Sequence, residues 1–220
     1  MKKNGTVHRL YLELLKKHGS PKDLWPEWCA KEKSLFLREI IALGAILTQR
    51  TSWRNADLAL RNLKKEKLLS VKKISNLKKL NKLTKLIRPA GFYQTKPKRL
   101  YSFCSFITKQ CGNLDRFRKK KLGQARRELL SIYGIGPETA DTILLYALDK
   151  PSFIIDEYTK RFVEKNALTQ KKKYDELKTF FERNLPKNVK AYQNFHALII
   201  IEQKGKNWST MRRIKGRISF

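Results

Sequence analysis

The most chemically suggestive spacing in the chain is Leu129-Leu130-Ser131-Ile132-Tyr133-Gly134-Ile135-Gly136-Pro137-Glu138-Thr139-Ala140-Asp141. Glycine at 134 suits the left-handed backbone that ends a helix. Pro137 suits the first position of the next helix, where its missing N–H is not needed. Gly136 permits a second tight turn between them, and the apolar Ile135 is placed to anchor the hairpin in a core. The product is a helix N-terminus with free backbone N–H groups, flanked by glycines that let an anion approach closely. Such a grip suits a phosphate and reads no base sequence, although an ordinary turn between two helices uses the same residues. Asp156 lies twenty residues beyond Gly136 (156 − 136), after the apolar Phe153-Ile154-Ile155 and before a new helical pattern. That is the position of a helix N-cap.

Charge names the partner class. The 220 residues include 50 Lys+Arg against 19 Asp+Glu, a net charge of +31, which points to a polyanion and first to nucleic acid. An anionic membrane surface and plain lysine-rich usage are the rival readings. A hydrophobic content of 41% excludes a basic disordered tail. No run approaches the roughly 18 apolar residues of a membrane span. No signal-type apolar core follows the basic start Met1-Lys2-Lys3-Asn4-Gly5-Thr6. Cys29, Cys104 and Cys111 are too few and too scattered for a disulfide framework, and reduced thiols of a cytoplasmic protein are expected.

The elements that must position these residues read as helices almost throughout. Apolar positions recur at helical period between Gly, Pro or Asn breaks, and strand-like alternation is scarce. Helices are expected near 7–18, 35–48, 53–64, 70–76, 81–87, 95–109, 114–118, 125–133, 137–148, 157–166, 174–185 and 189–202. The one over 35–48 is apolar nearly all round, through Phe36, Ile40, Ile41, Leu43, Ile46 and Leu47, as a buried central helix is. The loop over 19–30 holds Pro21, Trp25, Pro26 and Trp28. The lysine runs over 64–85 and 171–173 are expected to be solvated faces, and no 20–50-residue repeat is present.

The hairpin followed by Asp156 resembles the helix-hairpin-helix DNA glycosylase superfamily that includes endonuclease III. Leu43-Gly44-Ala45-Ile46-Leu47-Thr48-Gln49-Arg50-Thr51-Ser52-Trp53 is similar to that family's central helix and the turn after it. Ile87-Arg88-Pro89-Ala90-Gly91-Phe92-Tyr93, with Lys96 and Arg99-Leu100, resembles a further family segment, and Phe195-His196-Ala197-Leu198 the C-terminal helix of the endonuclease III-related branch. The resemblance implies an all-α fold of two helical lobes, with DNA and a base pocket in the cleft between them. A central lobe over 35–150 would carry the helix-hairpin-helix at about 125–148, and a second lobe would combine 1–34 with 151–220. It implies an enzyme that flips a damaged base out of duplex DNA and cuts its N-glycosidic bond. Asp156 takes the place of the catalytic carboxylate, whose charge stabilises the cationic sugar or activates water. Gln49 takes the place of the residue that enters the gap left by the base. Gly134, Ile135, Gly136, Thr139 and Arg50 fall on the DNA-binding positions.

The chain departs from the family pattern twice. Glu138 stands where strand-cleaving members carry a lysine, and a carboxylate cannot form their Schiff base. This predicts a monofunctional glycosylase without AP lyase activity; Lys160 is the remaining candidate amine. Many relatives also bind a four-iron cluster through four C-terminal cysteines, whereas residues 194–220 contain none. No metal or cofactor is therefore expected, although the resemblance allows a monovalent cation at the hairpin when DNA is bound. Lys204, Lys206, Arg212, Arg213, Lys215 and Arg217 occupy that region instead, as a DNA-facing charge or as a frayed tail.

Trp25-Pro26 and Trp53 resemble the aromatic pocket of the 3-methyladenine DNA glycosylase III branch, and a cationic alkylated purine would suit aromatic faces. Both tryptophans also read as interface core, and His196 as a core histidine. The expected function is thus base-excision repair, removing an alkylated purine from double-stranded DNA, by a cytoplasmic, nucleoid-associated monomer. Two alternatives stay open. One is an endonuclease III-like glycosylase and AP lyase acting on damaged or deaminated pyrimidines; the other is a non-catalytic binder of damaged DNA.

Overall fold

The computed structural model describes residues 5–21 and 28–205, and every regular element among them is helical. The chain forms two units, Lys31–Lys150 and a split unit of Met1–Ala30 with Pro151–Phe220. Helix α1 (Thr6–His18) belongs to the split unit. The inserted unit contains α2 (Leu35–Leu47), α3 (Trp53–Lys65), α4 (Val71–Ser75), α5 (Asn81–Leu86) and α6 (Lys96–Cys111). It continues with α7 (Leu114–Arg118), α8 (Leu122–Leu130) and α9 (Pro137–Thr142). Helices α10 (Glu157–Lys165), α11 (Tyr174–Asn184) and α12 (Val189–Lys204) complete the split unit.

Short polar side chains start many of these helices. Ser34, Ser52, Asn113, Asp156 and Asn188 each accept a hydrogen bond from the N–H three residues on, satisfying a donor that the first turn leaves without a partner. In the inserted unit, α2 is buried from Arg38 to Leu47, as its all-round apolar pattern requires. The two ends of this unit are clasped by charge. Asp149 accepts from Lys33 Nζ and Arg38 Nη1, both at 2.6 Å, and Arg38 also donates to the Ala147 carbonyl at 2.6 Å.

The split unit is built on aromatic rings. Phe153 stacks on Phe181 with centroids 4.5 Å apart and meets Tyr192 edge-on at 5.5 Å, while Phe162 meets Phe195 edge-on at 5.8 Å. Offset-stacked and edge-to-face contacts are the favoured arrangements for such rings. Glu202 near the end of α12 holds the end of α1, through Lys17 at 2.9 Å and His18 at 2.6 Å.

Two expectations are corrected around the hairpin. The helix expected over 125–133 is α8, three residues earlier at both ends, so that Ser131–Tyr133 unwind before Gly134. The helix expected over 137–148 changes winding: after α9, Ile143–Ala147 form a π-helical turn, with the Leu148 N–H reaching back five residues to the Ile143 carbonyl at 3.0 Å. All five of its side chains are buried, so the wider turn is made inside the core of the unit.

Candidate functional site

The hairpin has the anchoring expected of it and one backbone detail that is not. Gly134 has φ +80°, the left-handed conformation that favours glycine. Ile135 is buried, and its N–H closes the turn onto the Ile132 carbonyl at 3.1 Å. Pro137 opens α9. Gly136 makes no second tight turn: it is the extended N-cap of α9 (φ −87°, ψ 177°), in open space. Extended backbone suffices there because Pro137 has already set the direction of the next helix. The two helices are tied by a forked ion pair, Arg126 of α8 donating to the buried Asp141 of α9 at 2.9 and 3.2 Å.

Gln49, in the turn after α2, is brought onto this hairpin from 85 residues away in sequence. Its Nε2 donates to the Gly134 carbonyl and to Thr139 Oγ1, both at 2.9 Å, and its Oε1 accepts from Arg99 Nη1 at 2.6 Å. Arg50 follows, exposed and with φ +51°. Lys96, three residues before Arg99 on α6, is fully buried and donates to the carbonyls of Leu47 at 2.7 Å and Ala90 at 2.6 Å. Burial, reinforced by the nearby Arg99 charge, depresses its pKa to about 8. Glu138 is exposed on the first turn of α9. Trp53 packs its ring on α2, so close that a Cβ at Gly44 would lie 3.3 Å from it.

The carboxylate of Asp156 lies in the split unit. One oxygen caps α10 by accepting the Thr159 N–H at 2.7 Å; the other lies 3.3 Å from Nε2 of His196 on α12. Both side chains are largely buried, 15% and 7% exposed. Burial alone would push the carboxyl up. The nearby His196 imidazole and the hydrogen bond from the Thr159 N–H outweigh it, so Asp156 is held below the usual carboxylate range and is ionised at neutral pH. Lys204, at the end of α12, lies within range of this charge and places its ammonium 5.5 Å from the Tyr158 ring centroid. Lys160 pairs with Glu157 at 2.6 Å.

Trp25 and Pro26, and the basic positions Lys206, Arg212, Arg213, Lys215 and Arg217, lie outside the described residues. The three cysteines of the chain cannot assemble a four-thiolate site. Cys104 is buried, and desolvation pushes its thiol well up, against metal ligation. Among the described residues no three His, Cys, Asp or Glu side chains converge. No helix of the described residues is long and apolar enough to cross a membrane.

In the sequence Arg99 and Lys96 stand out only within a family segment, and nothing local marks the Arg126–Asp141 pair. The usable signal was a lysine and an arginine three apart at the start of α6, which share one helix face. His196, expected in the core, is buried, but against Asp156.

The fold is all-helical, with a hairpin turned at a left-handed glycine and, separately, a buried carboxylate capping a later helix. The chain belongs to the HhH-GPD superfamily of base excision DNA repair proteins, whose family pattern matches residues 43–187, and so to a family of DNA glycosylases. It is 46% identical over 197 residues, 88% of this chain and 85% of the relative, to a Methanocaldococcus jannaschii protein named as a DNA repair glycosylase. Its structure is similar to that of Helicobacter pylori 3-methyladenine DNA glycosylase (MagIII) bound to 1,N6-ethenoadenine. The TM-score is 0.73 at 28% identity, covering 96% of this chain and 99% of the other. An endonuclease III trapped on DNA shares the fold at 16% identity, with a TM-score of 0.67 over 91% of this chain and 85% of the other.

Proposed function

We propose that this chain is a monofunctional DNA N-glycosylase that removes a damaged base, an alkylated purine such as 3-methyladenine, from double-stranded DNA. It acts as a monomer, needs no cofactor and leaves an abasic site. The observation that carries the proposal is Asp156, a largely buried carboxylate kept ionised by His196 and the Thr159 N–H. An anion in that state is suited to a sugar that turns cationic as its base leaves. The C1′–N bond breaks, its electron pair departs with the base, and a water oxygen adds to C1′ with Asp156 stabilising the charge or taking the proton. Alkylation makes the base a better leaving group, which lightens the demand on Asp156.

Two further observations support the finer assignment. The exposed Glu138 offers no amine for a Schiff base. Similarity over almost the whole chain to a 3-methyladenine DNA glycosylase favours an alkylpurine. The hairpin supplies the grip on the phosphate backbone, in keeping with a net charge of +31.

The test is a panel of duplexes, each with one lesion: a 3-methyladenine analogue, 7-methylguanine, hypoxanthine, uracil, thymine glycol or an abasic site. Breaks that appear only after hot alkali, and only on alkylated duplexes, are expected. Breaks without alkali, borohydride trapping of a covalent complex, or cleavage confined to pyrimidine and abasic lesions would overturn the monofunctional alkylpurine assignment. No excision on any duplex would leave a binding protein.

A further inference from the structure

We infer that Arg99 and Gln49 form a brace that holds the hairpin in its DNA-binding shape, and that Gln49 serves the free protein as a positioning residue. The inference rests on the proposed DNA-binding role of the hairpin and adds the side chains that set it. Both amide hydrogens of Gln49 are committed, one to the Gly134 carbonyl and one to Thr139 Oγ1, while its oxygen receives Arg99. The amide orientation is therefore determined: turned over, its oxygen would face the Gly134 carbonyl, acceptor against acceptor. One side chain thus spans the turn, from the residue that ends it on the α8 side to the first turn of α9. Local sequence alone gives the hairpin its left-handed glycine, but its placement against α2 and α6 depends on this bridge.

Arg99 makes the bridge directional. Its aliphatic stem lies across Gly134, so that a Cβ there would fall 2.3 Å from Cγ and 2.6 Å from Cδ. Glycine at 134 thus serves two needs, a positive φ and a seat for Arg99. The buried Nε of Arg99 has no hydrogen-bond partner among the described residues, an unfavourable burial tolerated while the other end of the guanidinium secures Gln49.

The experiment compares wild type, Arg99→Met, Arg99→Lys, Gln49→Ala and the Arg99→Met/Gln49→Ala double variant. Hydrogen exchange of the Ile135 and Ala140 amides, both bonded within the hairpin, reads the brace in the free protein. Affinity for undamaged duplex and kcat at saturating alkylated duplex read its consequences. Arg99→Met and Gln49→Ala should each raise exchange and weaken duplex binding by about tenfold, as expected for losing a hydrogen bond to a charged group. The double variant should add little, because the residues act in series. Arg99→Met should leave kcat within about twofold, and Arg99→Lys should restore part of the binding. Unchanged exchange, additive effects, or a defect confined to kcat would overturn the brace. Should the wild type bind no duplex, the DNA-binding proposal fails by itself, while the exchange rates still decide the brace.

Discussion

The hairpin and the Asp156 site solve one problem, holding a polar group still, by opposite means. At the hairpin the groups presented are backbone, and they are held by side chains from far away: Gln49 from the turn after α2 and Arg99 from α6. At Asp156 the group presented is a side chain, and it is held first by its own neighbourhood, the Thr159 N–H three residues on, and then by the remote His196. The hairpin is open, with Gly136, Pro137 and Glu138 exposed. Asp156 is enclosed beside an aromatic core in which Phe153 and Phe162 flank it in sequence and Phe195 adjoins His196. An exposed grip suits a partner met again and again along a duplex. An enclosed anion strengthens its field by excluding water. On the proposed function the difference separates binding from chemistry, and variants can test that separation.

The largest effect is expected at Asp156. Asp156→Asn keeps a good N-cap for α10 and should leave folding and undamaged-duplex affinity intact, while excision falls about 100-fold or more. A parallel loss of duplex affinity would show that the two regions are not separable. Gly134→Ala should do the reverse. Forcing alanine to φ +80° is unfavourable by about 1–2 kcal/mol before the displacement of Arg99 is counted. Duplex affinity should drop, and excision at saturating substrate should persist; a melting curve and a binding isotherm on one preparation decide it.

Lys96 tests whether the turn that presents Gln49 is itself held in place. Lys96→Met leaves the carbonyls of Leu47 and Ala90 without their donor, at about 1–3 kcal/mol for an unsatisfied buried group. The pH dependence has a definite sign. With a folded pKa of about 8, below that of an unfolded lysine, the unfolded chain binds more protons between about pH 8 and 10.5. Stability contributed by Lys96 therefore rises with pH across that window and is lost as pH falls through 8. Urea midpoints of wild type minus Lys96→Met, measured from pH 7 to 10, should show that slope. The smallest effect belongs to Lys160→Ala, whose short-range pair with Glu157 is worth less than about 0.5 kcal/mol. Excision should be unchanged; a borohydride-trapped complex formed by the wild type and abolished in Lys160→Ala would instead restore Lys160 as a reactive amine.

The sequence by itself determined whatever depends on a few consecutive residues. Helical periodicity, the left-handed glycine at 134, the proline opening α9 and the caps at Ser34, Ser52, Asn113, Asp156 and Asn188 are choices made within one or two turns of backbone. The resemblance to a glycosylase family was legible for the same reason, since its motifs are short runs at fixed spacing. Tertiary structure decided the partners. That Gln49 lies on Gly134, that Lys96 gives its charge to two carbonyls, that His196 faces Asp156 across forty residues, and that Ile143–Ala147 wind as a π turn all depend on how helices distant in sequence pack. The ionisation of Asp156 and Lys96 follows from the same packing. A carboxylate or an ammonium has a known pKa in water, and only the surrounding fold sets how much water and which partners it keeps.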